Sequence, residues 1–116
     1  MTANPEPDSI PVIASAAELE AWLEEHVATE TEFWFAIHKK TSPSYSVSLE
    51  ELIDVALCFG WVDVKGIRVD EELRGLRFTP RRPKSNWSAI NRERARRLIA
   101  EGRMRPTGIA QLPGDL

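Results

Sequence analysis

At 116 residues, 42% hydrophobic and with a formal net charge of −3, the chain is sized for one domain with its own core. The single cysteine excludes an internal disulfide and a multi-cysteine zinc site. No apolar run approaches the ~20 residues a membrane helix needs, and Met1 to Ile13 lacks the charged and apolar regions of a secretory signal, so cytoplasm is the expected compartment, with no membrane insertion.

Residues 1–14, with Pro5, Pro7 and Pro11, read as a disordered tail ahead of a single domain over 15–112. Ser15-Ala16-Ala17-Glu18 is a capping-box pattern. Leu19, Trp22, Leu23, His26 and Val27 then recur at helical spacing until Thr29 to Thr31 ends the helix. Glu32 to Lys39 is aromatic and β-prone, and its apolar residues on both faces predict a central strand. Ser48-Leu49-Glu50-Glu51 opens a second helix with Leu49, Leu52, Ile53, Ala56 and Leu57 as its stripe and Gly60 at its C′ position.

Val62 to Val69 predicts a short hairpin turning near Lys65-Gly66. Leu76 to Thr79 is a third short strand. A third helix runs from Trp87 or Ser88 to Glu101, with Gly102 as its stop, and Pro106 to Gln111 offers one further turn. The expected class is α+β: three main helices packed with a small, mostly antiparallel sheet of three to four strands.

Charge is unevenly spread. Residues 1–63 balance to −10 and residues 64–116 to +7. Such a division fits an anionic partner for the second half, and equally an attraction between the two halves within the fold.

The densest candidate chemistry lies in Phe78 to Ser88. Arg81, Arg82 and Lys84 stand just ahead of a helix start, with Ser85 and Ser88 as hydroxyl donors. A helix N-terminus presents unpaired N–H groups and the positive end of the macrodipole, so this loop is a candidate anion seat. Trp61 and Trp87 are candidates for its apolar or stacking wall. Asn91 falls by helical phase on the apolar side of the third helix, where a buried amide would brace the loop or line the site. Arg94 falls near the same side and is placed to reach a carboxylate or a ligand. The competing reading leaves Arg81, Arg82 and Lys84 as solvated turn residues between Pro80 and Pro83.

Other chemistry-bearing groups have plainer structural roles open to them. Asp63 is a candidate acid/base if buried beside Trp61, or else a turn cap or an arginine's partner. Cys58 lies near a helix C-terminus with Asp54 one turn earlier, and both disfavour a thiolate. His26 and His38 show no metal spacing, so neither a metal nor a cofactor is expected.

Several motifs in order resemble the YdeI/OmpD-associated family, also titled bacteriocin-protection proteins. They are Ala56-Leu57-Cys58-Phe59-Gly60-Trp61-Val62-Asp63, Arg77-Phe78-Thr79-Pro80-Arg81-Arg82, Ser85-Asn86-Trp87-Ser88 with Asn91, and Gly102-Arg103-Met104 followed by Pro106 and Gly108. The resemblance covers about residues 20–110 and implies a bacterial cytosolic α+β protein. Val64 and Arg74-Gly75 depart from that pattern, and members of the family commonly continue past residue 116, which implies a short or truncated member. The resemblance carries no catalytic role for any residue.

Three functions follow as expectations. The first is a small anion-binding domain using Arg81, Arg82, Lys84, Ser85, Ser88, Trp87, Trp61 and Asn91. The second is an enzyme acting on an anionic small molecule with Asp63 as acid/base. The third is a nucleic-acid-binding module, supported by thirteen basic residues after position 63 and opposed by the acidic first half. These patterns imply no particular oligomeric state.

Overall fold

The computed structural model describes residues 4–82 and 86–116. Among these residues the architecture is α+β, with four helices and a three-stranded antiparallel sheet. No described helix is long and apolar enough to cross a membrane.

Helix α1 (Ala16–His26) starts where Ser15 Oγ accepts the Glu18 N–H and the Glu18 carboxylate accepts the Ala14 N–H. Helix α2 (Leu49–Cys58) starts with a full capping box between Ser48 and Glu51. It stops at Gly60, whose φ of 82° lies where a side chain would be strained. Helix α3 (Ala89–Ala100) is capped by Ser88 and followed by Gly102 at φ 70°. A single turn, α4 (Pro106–Ile109), closes the chain against the end of α2.

The sheet departs from expectation in two places. Strands β1 (Phe33–His38), β2 (Trp61–Arg68) and β3 (Leu73–Pro80) lie in the order β1-β3-β2. The central strand is therefore β3, and β1 is at an edge. Its two apolar faces have a different cause. The segment before α1 lies along its outer edge: the Ala36 N–H donates to Pro11 O, the Ile13 N–H donates to Ala36 O, and Val12 makes a parallel bridge with Ala36. Ile10 and Ile13 are buried by this pairing. The end of the expected tail is thus a structural part of the domain, because an unpaired strand edge and two isoleucines are covered together.

The second correction is the hairpin. Lys65-Gly66 does not turn; β2 runs through it to Arg68, with a register irregularity between Asp63 and Lys65. Gly66 is not among the positive-φ glycines, so it lacks the backbone a primed turn requires. The chain turns at residues 69–72 instead, where Asp70 Oδ1 accepts the N–H groups of Glu72 and Leu73, both at 2.8 Å.

The helices pack on one sheet face, where Phe35, Ile37, Leu76, Phe78 and Trp61 meet Leu19, Leu23, Leu52, Ala56, Ala95 and Leu98. Trp22 stacks on Phe33 with ring centres 3.9 Å apart and meets Trp61 edge-on. Residues that alternate with these point to the outer face: Trp34 and Ala36 on β1, Gly75, Arg77 and Thr79 on β3, Val62 and Ile67 on β2.

Candidate functional site

The outer face carries the site. At the end of the sheet where β3 leaves it, Arg77, Arg81 and Arg82 line a groove of about 790 Å³ together with Thr31, Thr79, Val62 and Val64. Strand alternation positions Arg77 and Thr79 outward because Leu76 and Phe78 are committed to the core. Among the described residues the groove walls hold no carboxylate. Glu32, outside the lining, accepts from the Arg77 Nε at 2.6 Å and pairs with that one guanidinium among the described residues. The volume falls in the ~300–1,000 Å³ range of small-molecule sites.

Arg81 is the anchored member. Its backbone N–H donates to Gly60 O, and its guanidinium lies 4.1 Å from the centre of a Trp87 ring. It is only 9% exposed. Burial pulls its pKa below the ordinary arginine value, and the nearby Asp63 charge acts the other way. Arg82 is exposed.

The structure therefore brings Arg81, Arg82 and Trp87 together, and adds Arg77, Thr79 and Thr31, which reading the sequence alone did not select. The period-2 alternation of β3 marks Arg77 and Thr79 as outward; what hid them was the misplaced turn, since without the β2–β3 register nothing places Val62 beside Thr79. Trp61 is not a wall of the site. It is 2% exposed and belongs to the core, on the face it shares with Pro80 and Phe78. Ser88 is exposed and uses Oγ as the cap of α3, accepting the Asn91 N–H at 3.1 Å. Asn91 is half-buried, and among the described residues only its backbone is bonded. Lys84 and Ser85 lie outside the described residues.

Asp63 is exposed, and its register partner is Phe78, so it sits on the strand face opposite Val62 and Val64. It is within electrostatic reach of Arg81 but does not line the groove.

Two further hollows are internally neutralised. Between α2 and α3, Arg94 bonds Asp54 at 2.6 Å and Glu50 at 2.7 Å, and Arg97 bonds Asp54 at 2.8 Å. Arg94 thus reaches carboxylates, as its helical phase allowed. Below α2, Arg105 bonds Glu20 and Glu24 beside the buried Cys58. Burial pushes the Cys58 thiol up, which fits a structural role. His26 is stacked on Trp22 with Nδ1 at Trp22 O, and His38 faces Ser42. Among the described residues no group of His, Cys, Asp and Glu could hold a metal ion.

A family model described as "Domain of unknown function (DUF8412)" matches residues 12–111. The chain belongs to this family. The DUF8412 match begins at Val12, the residue that bridges Ala36, and takes in every strand and helix α1 to α4. No curated protein and no solved structure matches the chain significantly.

Proposed function

We propose that this domain binds a small anionic ligand in the groove on the outer sheet face, with Arg77, Arg81 and Arg82 as its cationic contacts and Thr79 and Thr31 as hydroxyl partners. The observation that carries this reading is a groove lined by three arginines with no carboxylate among its described walls. Guanidinium groups form charge-assisted, bidentate bonds to phosphate and carboxylate. Arg81 is held by Trp87 and by its own backbone bond, so little freedom is lost when a ligand arrives.

The test is thermal. Phosphate should raise the Tm more than chloride at matched ionic strength, and the excess should disappear in Arg77→Ala/Arg82→Ala. Salting-out by phosphate or sulfate raises wild type and variant alike, so equal responses would sink the reading.

The enzyme alternative has less support, because Asp63 sits on the strand face away from the groove. Membership among the YdeI/OmpD-associated proteins, a cytoplasmic location and a link to bacteriocin protection belong to the same proposal. They are supported by the ordered motifs from Ala56 to Gly108. Deleting the gene in its host and challenging the cells with bacteriocins tests that link; unchanged sensitivity would end it.

A further inference from the structure

The four tryptophans are not equivalent. Trp22 stacks on Phe33, Trp61 is buried edge-on to Trp22, and Trp87 lies under Arg81. Trp34 differs from all three. It is half-buried, stands outside the core cluster, and has no ring or cation partner among the described residues.

Its position is informative. Trp34 is the register partner of Arg77, and Arg77 is the register partner of Lys65. Cross-strand partners share a face with Cβ atoms ~5 Å apart. An indole, a guanidinium and an ammonium therefore form one row across the outer face, and Arg77 in that row also lines the arginine groove. The N-terminal segment reaches the same face, with Ile10 over Gly75 and Asn4 on Lys65, and Trp34 stays half-buried there. A large ring placed beside a cationic groove suits a ligand that is itself flat at one end and anionic at the other.

Resting on the anion reading above, we propose that the ligand is a nucleotide unit, with its base stacked on Trp34 and its phosphate held by Arg77, Arg81 and Arg82. Every base has a π-face, so a lone indole binds bases with little sequence preference. Charge complementarity comes from the three arginines of the groove, whose described walls hold no carboxylate, Glu32 being bonded to Arg77 from outside the lining. The same chemistry is offered by a free nucleotide and by a residue within a single strand. Lys65, at the far end of the row and bonded to Asn4 Oδ1 at 2.7 Å, would meet a neighbouring phosphate only in the strand.

The experiment compares AMP with ribose 5-phosphate, which keeps sugar and phosphate and lacks the base. A five-nucleotide single strand is the third ligand and inorganic phosphate the fourth, all titrated by calorimetry. AMP should bind about tenfold or more tighter than ribose 5-phosphate, the scale of one base stacked on an aromatic ring. Trp34→Ala should abolish that difference and leave ribose 5-phosphate unchanged, while Trp34→Phe should retain most of it and show that loss of folding is not the cause. A strand that binds tighter than AMP and loses the margin in Lys65→Ala identifies single-stranded nucleic acid as the source; equal binding identifies the free nucleotide. If ribose 5-phosphate binds as tightly as AMP, or Trp34→Ala keeps the preference, the nucleotide assignment is overturned while the anion reading stands. If inorganic phosphate and every other ligand fail to bind, both fall.

Discussion

The Arg81 guanidinium sits 4.1 Å from the centre of a Trp87 ring, joining the residue just after β3 to the residue before the cap of α3. A cation over an indole gains roughly 0.5–2 kcal/mol, more as water is excluded. Trp87→Leu keeps apolar bulk and removes the quadrupole. It should weaken phosphate binding severalfold with a smaller change in Tm, measured by titrating Tm against phosphate. Wild-type phosphate affinity in this variant would show that the ring does not position Arg81.

Gly60 and Gly108 interlock where α4 docks on the end of α2. A Cβ on Gly108 would lie 2.1 Å from Cys58 O, and one on Gly60 would lie 2.6 Å from Thr107 O. Backbone atoms cannot yield as a flexible side chain can, so Gly108→Ala should cost about 1–3 kcal/mol, as overpacking does. Gly114→Ala, with nothing within 4 Å of its added carbon, should be close to neutral. Urea denaturation of the two variants side by side decides it; equal stability would mean that α4 is not docked as described.

The Asp54–Arg94–Arg97 cluster ties α2 to α3. Burial opposes ionisation of Asp54, but the bonds and charges of Arg94 and Arg97 outweigh it and hold the carboxyl below its ordinary value. A depressed carboxylate pKa stabilises above the unfolded value of ~3.9 and loses that contribution as pH falls through the folded value. Asp54→Asn should therefore cost about 1–3 kcal/mol at pH 7, chiefly from removing the carboxylate that Arg94 and Arg97 share and leaving Arg94 with Glu50 alone as its ion-pair partner among the described residues. The Tm gap between wild type and variant should narrow below about pH 4. A gap that does not change with pH would refute the assignment.

Cys58 should be a slow thiol. It is 4% exposed, burial raises its pKa, and Asp54 and Glu20 push the same way against Arg103 and Arg105. Native alkylation by iodoacetamide at pH 7.5 should be far slower than in urea. Comparable rates in the two conditions would place the sulfur at the surface.

Local order was legible in the sequence because local signals produce it. Ser15 and Ser48 each accept an N–H three residues on, as their capping patterns predict, and Gly60 and Gly102 stop helices because only glycine takes positive φ freely. The α+β class followed from the same short-range reading, and Arg81 and Arg82 are adjacent in the chain itself, whereas Arg77 joins them only through the sheet. Pairing between distant segments decided the rest. Strand order made β3 central and β1 an edge, a choice made when residues 11–13 bonded to Ala36. The turn moved from Lys65-Gly66 to residues 69–72 because Asp70 offers its carboxylate to two N–H groups there, and that shift set the register for the whole outer face. Register in turn buried Trp61, turned Asp63 from the groove and aligned Trp34 with Arg77. A side-chain period of two means that each strand's faces are written locally, but which faces meet is written only in the packed sheet.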